Sequence, residues 1–130
     1  MIERHWNAEL LAKIFGVVFL AVGLLGFAPN PIVSPTGVFE VNEAHNIVHI
    51  VTGVAFVAGA MLGAPVITIR VIAVLYALVA IIGFVMPGSM LLNIVAINMA
   101  DRWLHAVLAA VLLLVGFLAP APESMRHARM

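Results

Sequence analysis

Seven polar side chains recur at helical spacing along two stretches of this chain. Asn42, His45, His49 and Thr52 stand three or four positions apart, and so do Asn98, Asp101 and His105. Residues so spaced share one face of a helix. Three imidazoles and a carboxylate, His45, His49, Asp101 and His105, are a ligand set that suits zinc or another divalent ion. Asn42, Asn98 and Thr52 would then be supporting polar groups around the ligands. His49 and His105 alone, at matching positions of two helices, could instead ligate haem, with Gly53 and Ala109 small enough to let a flat ring approach. A proton-responsive cluster is a third chemistry, because His titrates near physiological pH. The reading that asks least is structural: His, Asn and Asp bond helices together, each bond contributing about 0.6–2 kcal/mol.

The elements that must position these residues are membrane helices. Hydrophobic residues make up 65% of the 130-residue chain and charged residues 9%. A soluble domain carries about a quarter charged residues, so a soluble surface cannot be built from this composition. Four apolar stretches approach the roughly 20 residues that cross a bilayer. They run over about residues 10–27, 44–62, 66–86 and 100–118, bounded by Ala28-Pro29-Asn30-Pro31, Gly63-Ala64-Pro65, Pro87-Gly88 and Ala119-Pro120. Backbone groups in lipid must be satisfied within the segment, so these are expected as helices despite their Val and Ile content. The expected fold is an all-α, four-helix transmembrane bundle forming one domain over residues 1–130. The first apolar run is long for a signal peptide and lacks a small-x-small cleavage pattern after it, so it reads as a retained helix.

The halves echo each other. Leu24-Leu25-Gly26-Phe27 matches Ile81-Ile82-Gly83-Phe84, and Val41-Asn42 with Ala44-His45 and Val48-His49 matches Ile97-Asn98 with Ala100-Asp101 and Leu104-His105. Asn and His recurring at one spacing point to a duplicated helical hairpin, the repeats being parallel. The polar stripes would then face each other near the bundle axis, with His49 and His105 roughly 8–10 Å inside their helix starts. Ionisable groups at that depth usually face the interior.

Arg4, Lys13, Arg70, Arg126 and Arg129 fall on one side of such a bundle, leaving Arg102 on the other. The positive-inside rule then sets both termini in the cytoplasm of a multi-pass inner-membrane protein, with Trp6 and Trp103 as interfacial anchors. The first and third connections, apolar at Val38-Phe39 and Leu91-Leu92, are expected to lie on the interface or cap the bundle. Zero net charge and the lack of a basic block argue against a nucleic-acid partner. Without cysteine, disulfides and thiolate metal sites are excluded. Ala55, Gly59 and Gly63, and Ala12 with Gly16, read as small-residue packing stripes. Tyr76, mid-span, needs a hydroxyl partner if buried.

The Asn42, His45-Asn46-Ile47-Val48-His49 and Thr52-Gly53 run, with Asp101 and Leu104-His105 on the last helix, resembles an uncharacterised bacterial family of integral membrane proteins. That family is catalogued as a domain of unknown function with four spans. The resemblance covers about residues 10–118 and implies a fold and an orientation but no reaction. Arg102 departs from it, since Asn is expected there. The leading functional expectation is a binding or accessory subunit of a membrane complex, with other membrane proteins or a second copy of the chain as partners, and no enzymatic activity assigned. The alternative is a metal- or haem-binding membrane protein, its cofactor zinc or haem.

Overall fold

The computed structural model describes residues 7–118. Arg4, Trp6, the Ala119-Pro120 stop, Arg126 and Arg129 lie outside the described residues. Four helices dominate: α1 (Ala8–Leu25), α2 (Glu43–Met61), α3 (Pro65–Val85) and α4 (Met99–Leu118). All four are long and apolar enough to cross a membrane, and the protein is an all-α, multi-pass membrane bundle. The connections carry two short strand pairs, which composition alone did not foretell. β1 (Val33–Ser34) runs parallel to β2 (Phe39–Glu40), and β3 (Met90–Leu91) antiparallel to β4 (Val95–Ala96).

The helix bounds follow from local chemistry. Asn7 opens α1 by accepting the Leu10 N–H at 3.0 Å, two residues earlier than hydropathy suggested. Its far end is held by Asn30, whose Nδ2 donates to the Leu25 carbonyl at 3.0 Å. Between α2 and α3 the chain turns through Gly63 at φ +77°. Ala64 N–H bonds Gly59 O at 2.8 Å and Gly63 N–H bonds Ala60 O at 3.3 Å, a left-handed helix ending that favours glycine. Pro65 does not merely end the second span; it starts the third, since a first helical residue has no amide partner to lose.

In the first hairpin the backbones of α1 and α2 touch. A Cβ on Gly16 would sit 2.6 Å from Val57 and 3.0 Å from Gly53 O, and one on Gly53 would sit 2.8 Å from Gly16 O. Association in lipid relies on close packing of this kind, because apolar burial alone does not distinguish helix from lipid. The second hairpin is tied at both ends by arginine. Arg70 Nε, in the second turn of α3, donates to Gly116 O near the end of α4 at 2.7 Å. Arg102, in the first turn of α4, donates to Met86 O and Gly88 O at the end of α3. Cations at helix C-termini also meet the negative end of the macrodipole. The core runs through Phe19, Phe56, Ile69, Ile72, Tyr76 and Leu112, while Val17, Val51, Leu78 and Leu114 on the outer faces are exposed. In a bilayer those faces meet lipid.

Candidate functional site

Each polar stripe begins at an asparagine cap. Asn42 Oδ1 accepts the His45 N–H at 3.0 Å, and Asn98 Oδ1 accepts the Asp101 N–H at 3.0 Å. The two caps also reach across the bundle. Asn42 Nδ2 donates to Ile94 O at 2.9 Å, and Asn98 Nδ2 donates to Val38 O at 2.8 Å. Asn42 and Asn98 are as far apart in the chain as Val38 and Ile94, so the two bonds are reciprocal. Each connection is thereby tied to the start of the opposite hairpin's second helix.

Beneath the caps, His45 and His49 on α2 meet His105 on α4. One ring nitrogen from each lies within 4.8 Å of the others, and all three residues are buried. The ring centroids stand 4.5 Å apart for His45 and His49, 5.6 Å for His45 and His105, and 6.4 Å for His49 and His105. His45 Nδ1 lies 2.7 Å from Ala96 O in β4. The carbonyl can only accept, so this nitrogen carries the proton, and in the neutral ring Nε2 keeps its lone pair.

The lower layer is a closed square of aromatic rings, one from each helix. Phe19 of α1 contacts His49 at 5.7 Å and Tyr76 of α3 at 5.3 Å, and Tyr76 contacts His105 at 5.9 Å between centroids. With the His49–His105 pair, this closes the circuit. Phe19 and Tyr76 therefore wall the imidazoles on the α1 and α3 sides. The Tyr76 hydroxyl finds its partner in Thr52 Oγ1 at 3.2 Å, and Thr52 in turn donates to Val48 O.

Of the residues expected to act together, the fold brings His45, His49 and His105 into one group. Asp101, one turn from His105 on the same face, is not a member of that group. Its Oδ2 accepts the Asn98 N–H at 2.8 Å, closing a reciprocal capping arrangement at the start of α4. Asn42 and Asn98 act on the connections and helix starts, and Thr52 acts on Tyr76. Sequence reasoning missed the Ala96 carbonyl and Phe19. The first is a backbone group that no side-chain pattern reveals, and the second is a Phe among many apolar residues.

His49 Nδ1 and Asn46 Oδ1 are buried and hydrogen-bond to nothing among the described residues. An imidazole used purely to tie helices would be paired, because a buried unsatisfied polar atom costs about 1–3 kcal/mol. The arrangement thus offers three inward-facing imidazoles, one with its tautomer fixed by a carbonyl, in a buried, aromatic-walled site.

Residues 9–118 match the family described as Domain of unknown function (DUF4383), and the chain belongs to that family. No curated protein and no solved structure matches the chain.

Proposed function

We propose that this protein binds a divalent transition-metal ion of the zinc class within the membrane, through His45, His49 and His105. The observation that carries the reading is the convergence of three buried imidazole donors within 4.8 Å of one another. Imidazole suits zinc, copper, iron and nickel, and neither thiolate nor carboxylate belongs to the donor group. The His45 bond to Ala96 O is the outer contact that metal-bound histidines commonly make through their second nitrogen. Three protein ligands leave a fourth position for water or another small ligand. Asp101 lies outside the donor group and serves as a helix-start acceptor in this reading. No reaction is assigned.

Haem fits these residues less well than an ion. A porphyrin between His49 and His105 needs free space around both rings, and His45 stands 4.5 Å from one and 5.6 Å from the other.

Two features of the wider reading accompany the site. The reciprocal Asn42–Ile94 and Asn98–Val38 bonds support an internal duplication of the hairpin. Lys13 and Arg70 near one end of the bundle, against Arg102 at the other, support an inner-membrane orientation with both termini cytoplasmic. An accessory role beside a larger membrane protein is compatible with the exposed apolar residues Ile32, Val38, Leu92 and Ile94 of the connections.

The test is metal content by mass spectrometry on detergent-purified protein prepared without chelator. About one ion per chain is expected, lost in His49→Ala and His105→Ala and retained in Asp101→Asn. Wild-type protein at background, even after incubation with zinc, copper, iron and nickel salts, would overturn the reading.

A further inference from the structure

Arg102 is a permanent cation only 8% exposed, yet among the described residues no carboxylate lies within ion-pair distance of it. Its contacts are the carbonyl oxygens of Met86 at 3.1 Å and Gly88 at 2.5 Å. A guanidinium has five N–H donors, so three remain. Carbonyls and the end of a helix offset part of a buried charge, but buried charges are generally paired with an opposite one.

Arg102 lines an open surface cavity of about 450 Å³ between the end of α3 and the start of α4, much of whose wall is exposed. That is within the roughly 300–1,000 Å³ range of small-molecule sites. Glu40, at the end of β2, lines the same cavity, with Ser89 and Asn98 as further polar wall and Phe84, Pro87 and Met99 as apolar wall. It therefore presents one cationic and one anionic group.

Its position selects the ligand. The cavity opens where two membrane helices end, which is headgroup depth in a bilayer. Beside it, exposed Phe84 and Trp103 stack edge to face with centroids 5.1 Å apart, an aromatic pair of the kind found at membrane interfaces.

We propose that this cavity holds the headgroup of a zwitterionic phospholipid, its phosphodiester on Arg102 and its ammonium toward Glu40, with the acyl chains leaving past Phe84 and Trp103. Arginine's planar fork matches two phosphate oxygens at once. The Glu40 carboxylate favours phosphatidylethanolamine over an anionic lipid of similar size. The site stands independently of the histidine cluster.

The experiment is native mass spectrometry of protein released from nanodiscs containing equal amounts of phosphatidylethanolamine and phosphatidylglycerol. Wild type is expected to retain one lipid, chiefly phosphatidylethanolamine. Arg102→Gln should reduce that adduct on the order of tenfold, and Glu40→Gln should keep a lipid but lose the preference. Because Arg102 also ties α3 to α4, Ser89→Trp is the second variant. A side chain of that size on the cavity wall is expected to occupy the space, while the Arg102 bonds go to backbone carbonyls, so the adduct should be lost without a shift in thermal midpoint. Equal retention by folded Arg102→Gln or Ser89→Trp overturns the site. An adduct with the mass of inorganic phosphate overturns the lipid assignment, and a preference that survives Glu40→Gln overturns the ammonium contact.

Discussion

His45 and Ala96 are joined across the bundle by a 2.7 Å contact between an imidazole Nδ1 and a backbone carbonyl. The bond fixes one tautomer and makes the third connection part of the histidine site. Ala96 is held in turn by Asn42, whose Oδ1 accepts its N–H at 3.2 Å.

Asn42→Ala removes the cap on α2 and two bonds to the third connection together. Loss of an N-cap costs about 0.5–2 kcal/mol, and loss of an outer-shell support typically lowers metal affinity about 10–100-fold. The expected result is a folded protein whose zinc competition curve shifts by that factor while stoichiometry at saturating metal is unchanged. Unaltered affinity would show that the connection does not support the site.

Tyr76→Phe and Thr52→Val each break one hydroxyl contact between α2 and α3. Hydrogen bonds between membrane helices average about 0.6 kcal/mol, so each variant should unfold slightly earlier in detergent. The double variant should cost about as much as either single one, because the same bond is lost. Fully additive losses would mean that the hydroxyls act separately. Metal content should remain at the wild-type level in all three.

Gly16→Val places a branched side chain where α1 and α2 touch. Overpacking of that type costs about 1–3 kcal/mol, measured as a lower unfolding midpoint or a separated hairpin. Gly63→Ala meets open space and suffers only from its left-handed backbone, a penalty of about 1 kcal/mol. If the two variants were equally mild, the α1–α2 contact would be looser than the structure shows.

The absence of cysteine allows topology to be read with single labels. Ile32→Cys and Leu92→Cys, both exposed in the connections, should react with an impermeant maleimide in intact cells. Leu62→Cys, at the opposite end, should react only after permeabilisation. The inverse pattern would reverse the proposed orientation.

By itself, the sequence determined the solvent and the element type. A chain with 65% hydrophobic residues cannot cover a soluble surface, and in lipid only a helix satisfies its own backbone at every position. Proline and glycine marked the helix ends to within a few residues, and the i, i+4 spacing already set His45 beside His49 and Asp101 beside His105. Both stripes were therefore legible, because helical periodicity is a local property.

Tertiary structure decided what the stripes do. Asp101 and His45 occupy matching positions, yet the Asn98 N–H takes the carboxylate into a cap, while the Ala96 carbonyl turns His45 toward its neighbours. The partners in both cases are backbone groups, and a side-chain pattern does not carry their placement. Phe19 and Tyr76 become walls of the site only once four helices meet, and Arg102 becomes a cavity-lining cation only once α3 ends beside α4. These roles depend on contacts distant in the chain, and their geometry is set by how the hairpins pack.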